Sequence, residues 1–71
     1  MDFADYYRAL SREERKLFAD RADTSPEYIE IHLLPRRKTP RRDKMASLAS
    51  ASNGAVSYED VVRYFLLTTA A

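Results

Sequence analysis

The chain has 71 residues, with 12 lysines and arginines against 11 aspartates and glutamates, one histidine and no cysteine. A chain this short forms one domain with a small core, and the missing thiols exclude disulfides and thiolate metal sites. A composition of 32% charged and 45% hydrophobic residues is that of a globular domain and argues against intrinsic disorder.

The start, Met1-Asp2-Phe3-Ala4-Asp5, lacks the basic-then-apolar order of a signal peptide, and no apolar run approaches the roughly 20 residues that span a membrane. The expectation is a cytoplasmic protein with no membrane partner. The net charge of +1 hides a strong asymmetry. Residues 1–35 carry five basic and eight acidic side chains, residues 36–44 six basic and one acidic, and residues 45–71 one basic and two acidic. The positive field is focused on one short stretch, and a focused patch attracts polyanions whatever the total charge.

In chain order, Phe3, Tyr6, Tyr7 and Leu10 fall at i, i+3, i+4 and i+7 and predict a first helix. Ser11, with Glu14 three residues on, predicts a capped second helix that runs to about Ala22 and turns Leu17, Phe18 and Ala22 inward. Asp23-Thr24 then makes a tight turn. Either Thr24, paired with Glu27, or Ser25, followed by Pro26, caps the third helix. Its apolar face is Tyr28, Ile29, His32 and Leu33, with His32 expected in the core. Pro35 ends it, because the residue before a proline is pushed out of helical geometry. A basic loop follows, bracketed by Pro35 and Pro40. The fourth helix runs from near Pro40 to Ser52, with Met45, Leu48, Ala49 and Ser52 on one face, and Asn53-Gly54 stops it. Ser57 caps a fifth, with Glu59 and Asp60 in its first turn, where carboxylates favour the helix dipole, and Tyr58, Val61, Val62 and Phe65 inward. The core aromatics are then Phe3, Tyr7, Phe18, Tyr28, Tyr58 and Phe65. The fold class is an all-α bundle of five short helices, each too short to be stable without packing.

The second and third helices, separated by Asp23-Thr24, have helix-turn-helix spacing. Ala19 is the small residue that lets two helices approach, Asp23 tolerates a positive φ, and Ser25 caps a helix that can enter a major groove.

The stretch "LSREERKLFADRADTSPEYIEIHLL", followed by "RRKTPRR", resembles the Cro/CI-type helix-turn-helix regulators of bacteriophages and their hosts. The later stretch "DKMASLASASNGAVSYEDVVRYF" resembles the last two helices of small Cro-type repressors. The resemblance spans roughly residues 10–65. It implies a lambda-repressor-like fold and a dimeric transcriptional regulator that binds a palindromic operator on double-stranded DNA, of phage or prophage origin and working in the bacterial cytoplasm at the nucleoid. Carried over by position, Ser25, Pro26, Glu27, Tyr28 and Ile31, with Glu30 beside them, would face the bases. Two departures stand out. The family usually has glycine where Asp23 stands, and none of the groove-facing residues is Arg, Lys, Asn or Gln, the usual partners of guanine and adenine. Glu27 can still accept from a cytosine amino group, and Ile31 can contact a thymine methyl.

Phosphate attraction is assigned to Arg12, Arg15 and Lys16 ahead of the turn and to Arg36, Arg37, Lys38, Arg41 and Arg42 after the third helix. Tyr64-Phe65-Leu66-Leu67 is apolar and opens a C-terminal tail, 64–71, that cannot all turn inward on one helix. Tyr64, Leu66 and Leu67 are therefore expected at a two-fold dimer contact. The pairs Glu13-Glu14 and Glu59-Asp60 sit at helix starts, where capping explains them. With one histidine, no cysteine and no glycine-rich loop, the sequence offers no metal, cofactor or catalytic site. The acidic third helix also suits a basic protein surface, which leaves a second reading: a small phage protein that binds and inhibits a host protein.

Overall fold

The computed structural model describes residues 1–67, with side chains through Leu66. Among these residues there are five helical segments and no strand. Helix α1 is Phe3–Ala9, capped by the Asp2 carboxylate, which accepts from the Ala4 and Asp5 amides. Helix α2 is Arg12–Arg21 and starts on the full Ser11/Glu14 capping box. Helix α3 begins as an α-turn, Pro26–Tyr28, and continues as a wider π-turn, Ile29–Leu33. Helix α4 is Arg42–Ala51. Helix α5 is Tyr58–Val62, continued by a π-turn, Arg63–Leu67. Of the two possible α3 caps, Ser25 is used: its Oγ accepts from the Tyr28 amide at 3.1 Å, with Pro26 in the first turn.

The turn between α2 and α3 is closed by the backbone. The Asp23 amide donates to Asp20 O at 3.1 Å and the Thr24 amide to Ala19 O at 2.9 Å, with Asp23 at φ 58°. This is a Schellman exit, in which a left-handed residue lets the chain reverse while the last carbonyls stay satisfied. Helix α3 ends the same way: Arg36, at φ 57°, donates to Leu33 O, and Arg37 to His32 O. Leu34 departs from expectation. It stays in the right-handed helical region despite Pro35, and its amide reaches back five residues to Ile29 O at 2.7 Å. A wider turn eases the clash between a proline ring and the carbonyl four residues before it, so the helix widens instead of stopping. Asn53 and Gly54, both at positive φ, end α4 as expected.

The core is one cluster. Phe3 packs against Tyr7, Phe18, Tyr64 and Phe65 with ring centroids 5.6 to 6.4 Å apart, joining α1, α2 and α5. Ile29, Leu33, Met45, Leu48, Val56 and Val61 complete it, each essentially without solvent exposure. Burying a side chain of that size contributes about 1.5–3 kcal/mol. Ala19 and Ala22 are fully buried where α2 closes on its neighbours.

Four expected core positions lie outside it. Leu17 is 57% exposed, one position off the stripe set by Phe18 and Ala22. Tyr58 is exposed because it occupies the first helical position of α5, before the helix packs. Tyr28 is 39% exposed, and His32 is half-buried against it with ring centroids 4.9 Å apart. On this helix only Ile29 and Leu33, four residues apart, reach the core, and Tyr28 and His32 lie beside that stripe. His32 is therefore a surface-stacked residue rather than a core histidine.

Candidate nucleic-acid interface

The outward ridge of α3 carries Glu27, Tyr28 and Ile31, all exposed, with Ile31 at 52%. Ser25 and Pro26 are half-buried at its start, and the Ser25 hydroxyl is committed to the cap. A groove runs along each side of this ridge. One lies between Asp23, Thr24 and Tyr28 and the loop residues Lys38, Thr39, Pro40 and Arg41, with Asp43 and Lys44 at its end. The other lies between Pro26, Glu27 and Glu30 and a wall made of Leu10, Arg12, Arg15 and Lys16. Cations thus border the ridge on both sides, accompanied by Asp23 and Asp43 in the first groove and by Glu27 and Glu30 in the second.

Their environments differ. Arg15 is tied into the protein: Nη1 lies 3.6 Å from Glu30 Oε2, Nη2 donates to Arg8 O at 3.3 Å, and its guanidinium lies 4.8 Å from the Tyr7 ring centroid. Its Nε is buried with no hydrogen-bond partner among the described residues. Glu30 is tied too, since the Tyr7 hydroxyl donates to Oε2 at 2.9 Å. Burial, and then the bond and charge of Glu30, push the Tyr7 phenol well above its ordinary value. Glu30, expected beside the base-facing residues, is therefore committed to the α1–α2 side of the fold.

On the loop side, Arg37, Lys38, Arg41 and Arg42 are exposed, and no carboxylate of the described residues forms an ion pair with them. Lys38 Nζ lies 5.9 Å from the centroid of the Tyr28 ring, which brings the loop beside the first turn of α3. Arg36 differs from its neighbours. Its Nε donates to Tyr64 O at 3.0 Å and its guanidinium stacks 4.0 Å from the Tyr64 ring centroid. It holds α3 to α5, where the sequence placed it with the phosphate-contacting cations.

Lys44, overlooked among the candidate residues, donates through Nζ to Ala22 O at 3.0 Å and Asp23 O at 2.8 Å, fixing α4 to the α2–α3 turn. No spacing rule could have found it, because its partners are main-chain oxygens 21 and 22 residues away.

The proposed dimer contact needs correction. Tyr64 is 3% exposed and packs on Phe3 and Phe65, while its hydroxyl donates to Leu34 O at 2.6 Å. Burial raises its phenol above the ordinary value, against the nearby charge of Arg36. Leu66 is 46% exposed. The Leu67 side chain and residues 68–71 of the expected tail lie outside the described residues. No helix of the described residues is long and apolar enough to cross a membrane, and no cluster of His, Cys, Asp or Glu among them could hold a metal. Set against family models, curated proteins and solved structures, the chain matches none of them.

Proposed function

We propose that the protein is a sequence-specific double-stranded-DNA-binding transcriptional regulator, a helix-turn-helix protein of the Cro type in a lambda-repressor-like bundle. It acts by occupying an operator and excluding polymerase. The observation that carries this reading is the bracketing of the exposed α3 ridge by two cation-lined grooves. A helix seated in a major groove lies between two phosphate backbones, and basic side chains on both sides of this ridge support that reading.

Arg37, Lys38, Arg41 and Arg42 supply the phosphate contacts on one side, and Arg12 and Lys16 those on the other. Glu27, Tyr28 and Ile31 read bases: a carboxylate for a cytosine amino group, an aliphatic end for a thymine methyl. Leu66 is the exposed residue around which a homodimer contact would form, matching a two-fold operator. The Cro-type assignment rests on the motif residues quoted above, and the phage or prophage setting follows from it.

The test is fluorescence anisotropy with duplexes at several salt concentrations. Replacing Arg37, Lys38, Arg41 and Arg42 together with alanine should weaken binding to every sequence by roughly two to three orders of magnitude near 0.1 M salt. It should also flatten the salt slope by about three to four units. Unchanged affinity would end the proposal. Glu27→Ala should shift preference at one base pair by about 1–3 kcal/mol, and a binding-site selection returning the wild-type consensus would remove Glu27 from the readers.

The exposure of Tyr28 and Ile31 beside Glu27 supports the second reading, a host-protein contact made by the same ridge. Retardation of duplexes that shows no sequence preference and vanishes at moderate salt would favour it.

A further inference from the structure

The basic segment between α3 and α4 contains no helix, yet both of its ends are fastened. At its start stands Arg36, at φ 57°, a backbone position usually filled by glycine or asparagine. An arginine there has a crowded β-carbon, so its contribution comes through the rest of the side chain. Its Nε donates to Tyr64 O at 3.0 Å, and its guanidinium carbon lies 4.0 Å from the centre of the Tyr64 ring. Tyr64 completes the exchange with a 2.6 Å bond from its hydroxyl to Leu34 O. Just past the far end, in the first turn of α4, Lys44 Nζ donates to Ala22 O and Asp23 O and so fixes the helix into which the segment runs. Those oxygens lie at the close of α2, where helix carbonyls have no partner within the helix.

We propose that Arg36 and Lys44 are positioning residues that hold the segment 37–41 in one conformation between α3 and the start of α4, so that its free cations meet a DNA backbone already in place. This rests on the DNA-binding reading above. Composition counts both residues among the cations that attract polyanions. In the fold, Lys44 gives two donors to main-chain oxygens, and the guanidinium of Arg36 is turned onto Tyr64. Their value to binding is that the loop need not be ordered at the moment of contact. A loop competent for docking only part of the time weakens the apparent affinity by that fraction.

The alternative is that Arg36 touches a phosphate directly, and the two roles have different signatures. A lost phosphate contact lowers the salt slope by about 0.9, whereas a lost clamp leaves the slope alone. The experiment compares wild type with Arg36→Gly, Arg36→Lys and Lys44→Met. Loop order is read from the 15N heteronuclear NOE of the amides of 37–39 and 41 in the free protein, and binding from anisotropy with a short duplex over a salt series.

Arg36→Gly suits the backbone and removes both clamp contacts. It should lower the NOE of those loop amides while core amides keep theirs, and weaken binding about tenfold at unchanged salt slope, as for a loop competent about a tenth of the time. Arg36→Lys should behave likewise, because lysine lacks the planar face and the fork. Lys44→Met repeats the test at the other end and decides the matter should Arg36→Gly fail to fold. A slope reduced by about 0.9 with loop order intact, or Arg36→Lys equal to wild type in both measurements, overturns the proposal. Wild type that binds no duplex at low salt ends the DNA reading instead, while the NOE comparison still decides whether the clamp holds the loop.

Discussion

The two flanks of α3 carry similar side chains, and on each flank some are held by the protein while others are free: Arg12 and Lys16 on one side are as exposed and free of ion pairs as the loop cations on the other. On the α2 flank, Arg15 is spent on Glu30, Arg8 O and the face of Tyr7. On the loop flank, Arg37, Lys38, Arg41 and Arg42 have no ion-pair partner among the described residues. A cation held by its own protein contributes to stability, and one facing only water contributes to association with a polyanion. Residue type does not decide between these roles. Distance to a carboxylate or an aromatic ring does.

The largest expected effect separates the flanks in binding. The fourfold alanine variant of the loop should lose far more affinity and salt slope than Arg12→Ala with Lys16→Ala, and its thermal stability should stay within about 0.5 kcal/mol of wild type. The loop variant removes four free cations and the other variant two, so equal losses would show that the free cations of the loop do not all reach phosphate. Arg15→Ala should do the reverse. It should destabilise the fold by about 1–3 kcal/mol in chemical denaturation, through lost packing over Tyr7, and leave the salt slope where it was. A slope that flattens instead would make Arg15 a phosphate ligand.

Tyr7 sharpens the comparison through pH. Its phenol is raised in the fold, so the unfolded chain ionises first as the pH climbs. The stability it provides is complete below about pH 10 and is lost as the pH rises further toward the folded value. Tyr7→Phe should cost about 1 kcal/mol at neutral pH and lessen the alkaline loss, read from denaturation midpoints between neutral and strongly alkaline pH. The smallest effect is expected at Leu17→Ser. Its leucine is exposed, so a change within about 0.5 kcal/mol is expected, and a larger loss would show that Leu17 is covered in solution.

Much of the local structure was legible because it depends on neighbours in sequence. The Ser11/Glu14 box, the Ser25 cap with Pro26 behind it, Asp23 at positive φ and the Asn53-Gly54 stop all involve residues within a few positions of each other. The core faces of α2 and α4 followed from helical spacing, with Leu17 the exception. In α3 and α5 the expected face was too wide: the buried residues are Ile29 and Leu33, and Val61, Tyr64 and Phe65, while Tyr28, His32 and Tyr58 lie at its margin or outside it. The period of 3.6 gives the direction of such a stripe but not its width, which depends on how many neighbours pack against the helix.

By itself, the sequence determined an all-α chain, the places where its helices begin and most of the side chains that fill its core, because capping and amphipathic spacing are properties of short segments. Tertiary structure alone decided which cations are free. The attachment of Arg36 to Tyr64, Arg15 to Glu30 and Lys44 to the α2 exit joins residues from 15 to 28 positions apart, and such pairings exist only once packing has closed the distance.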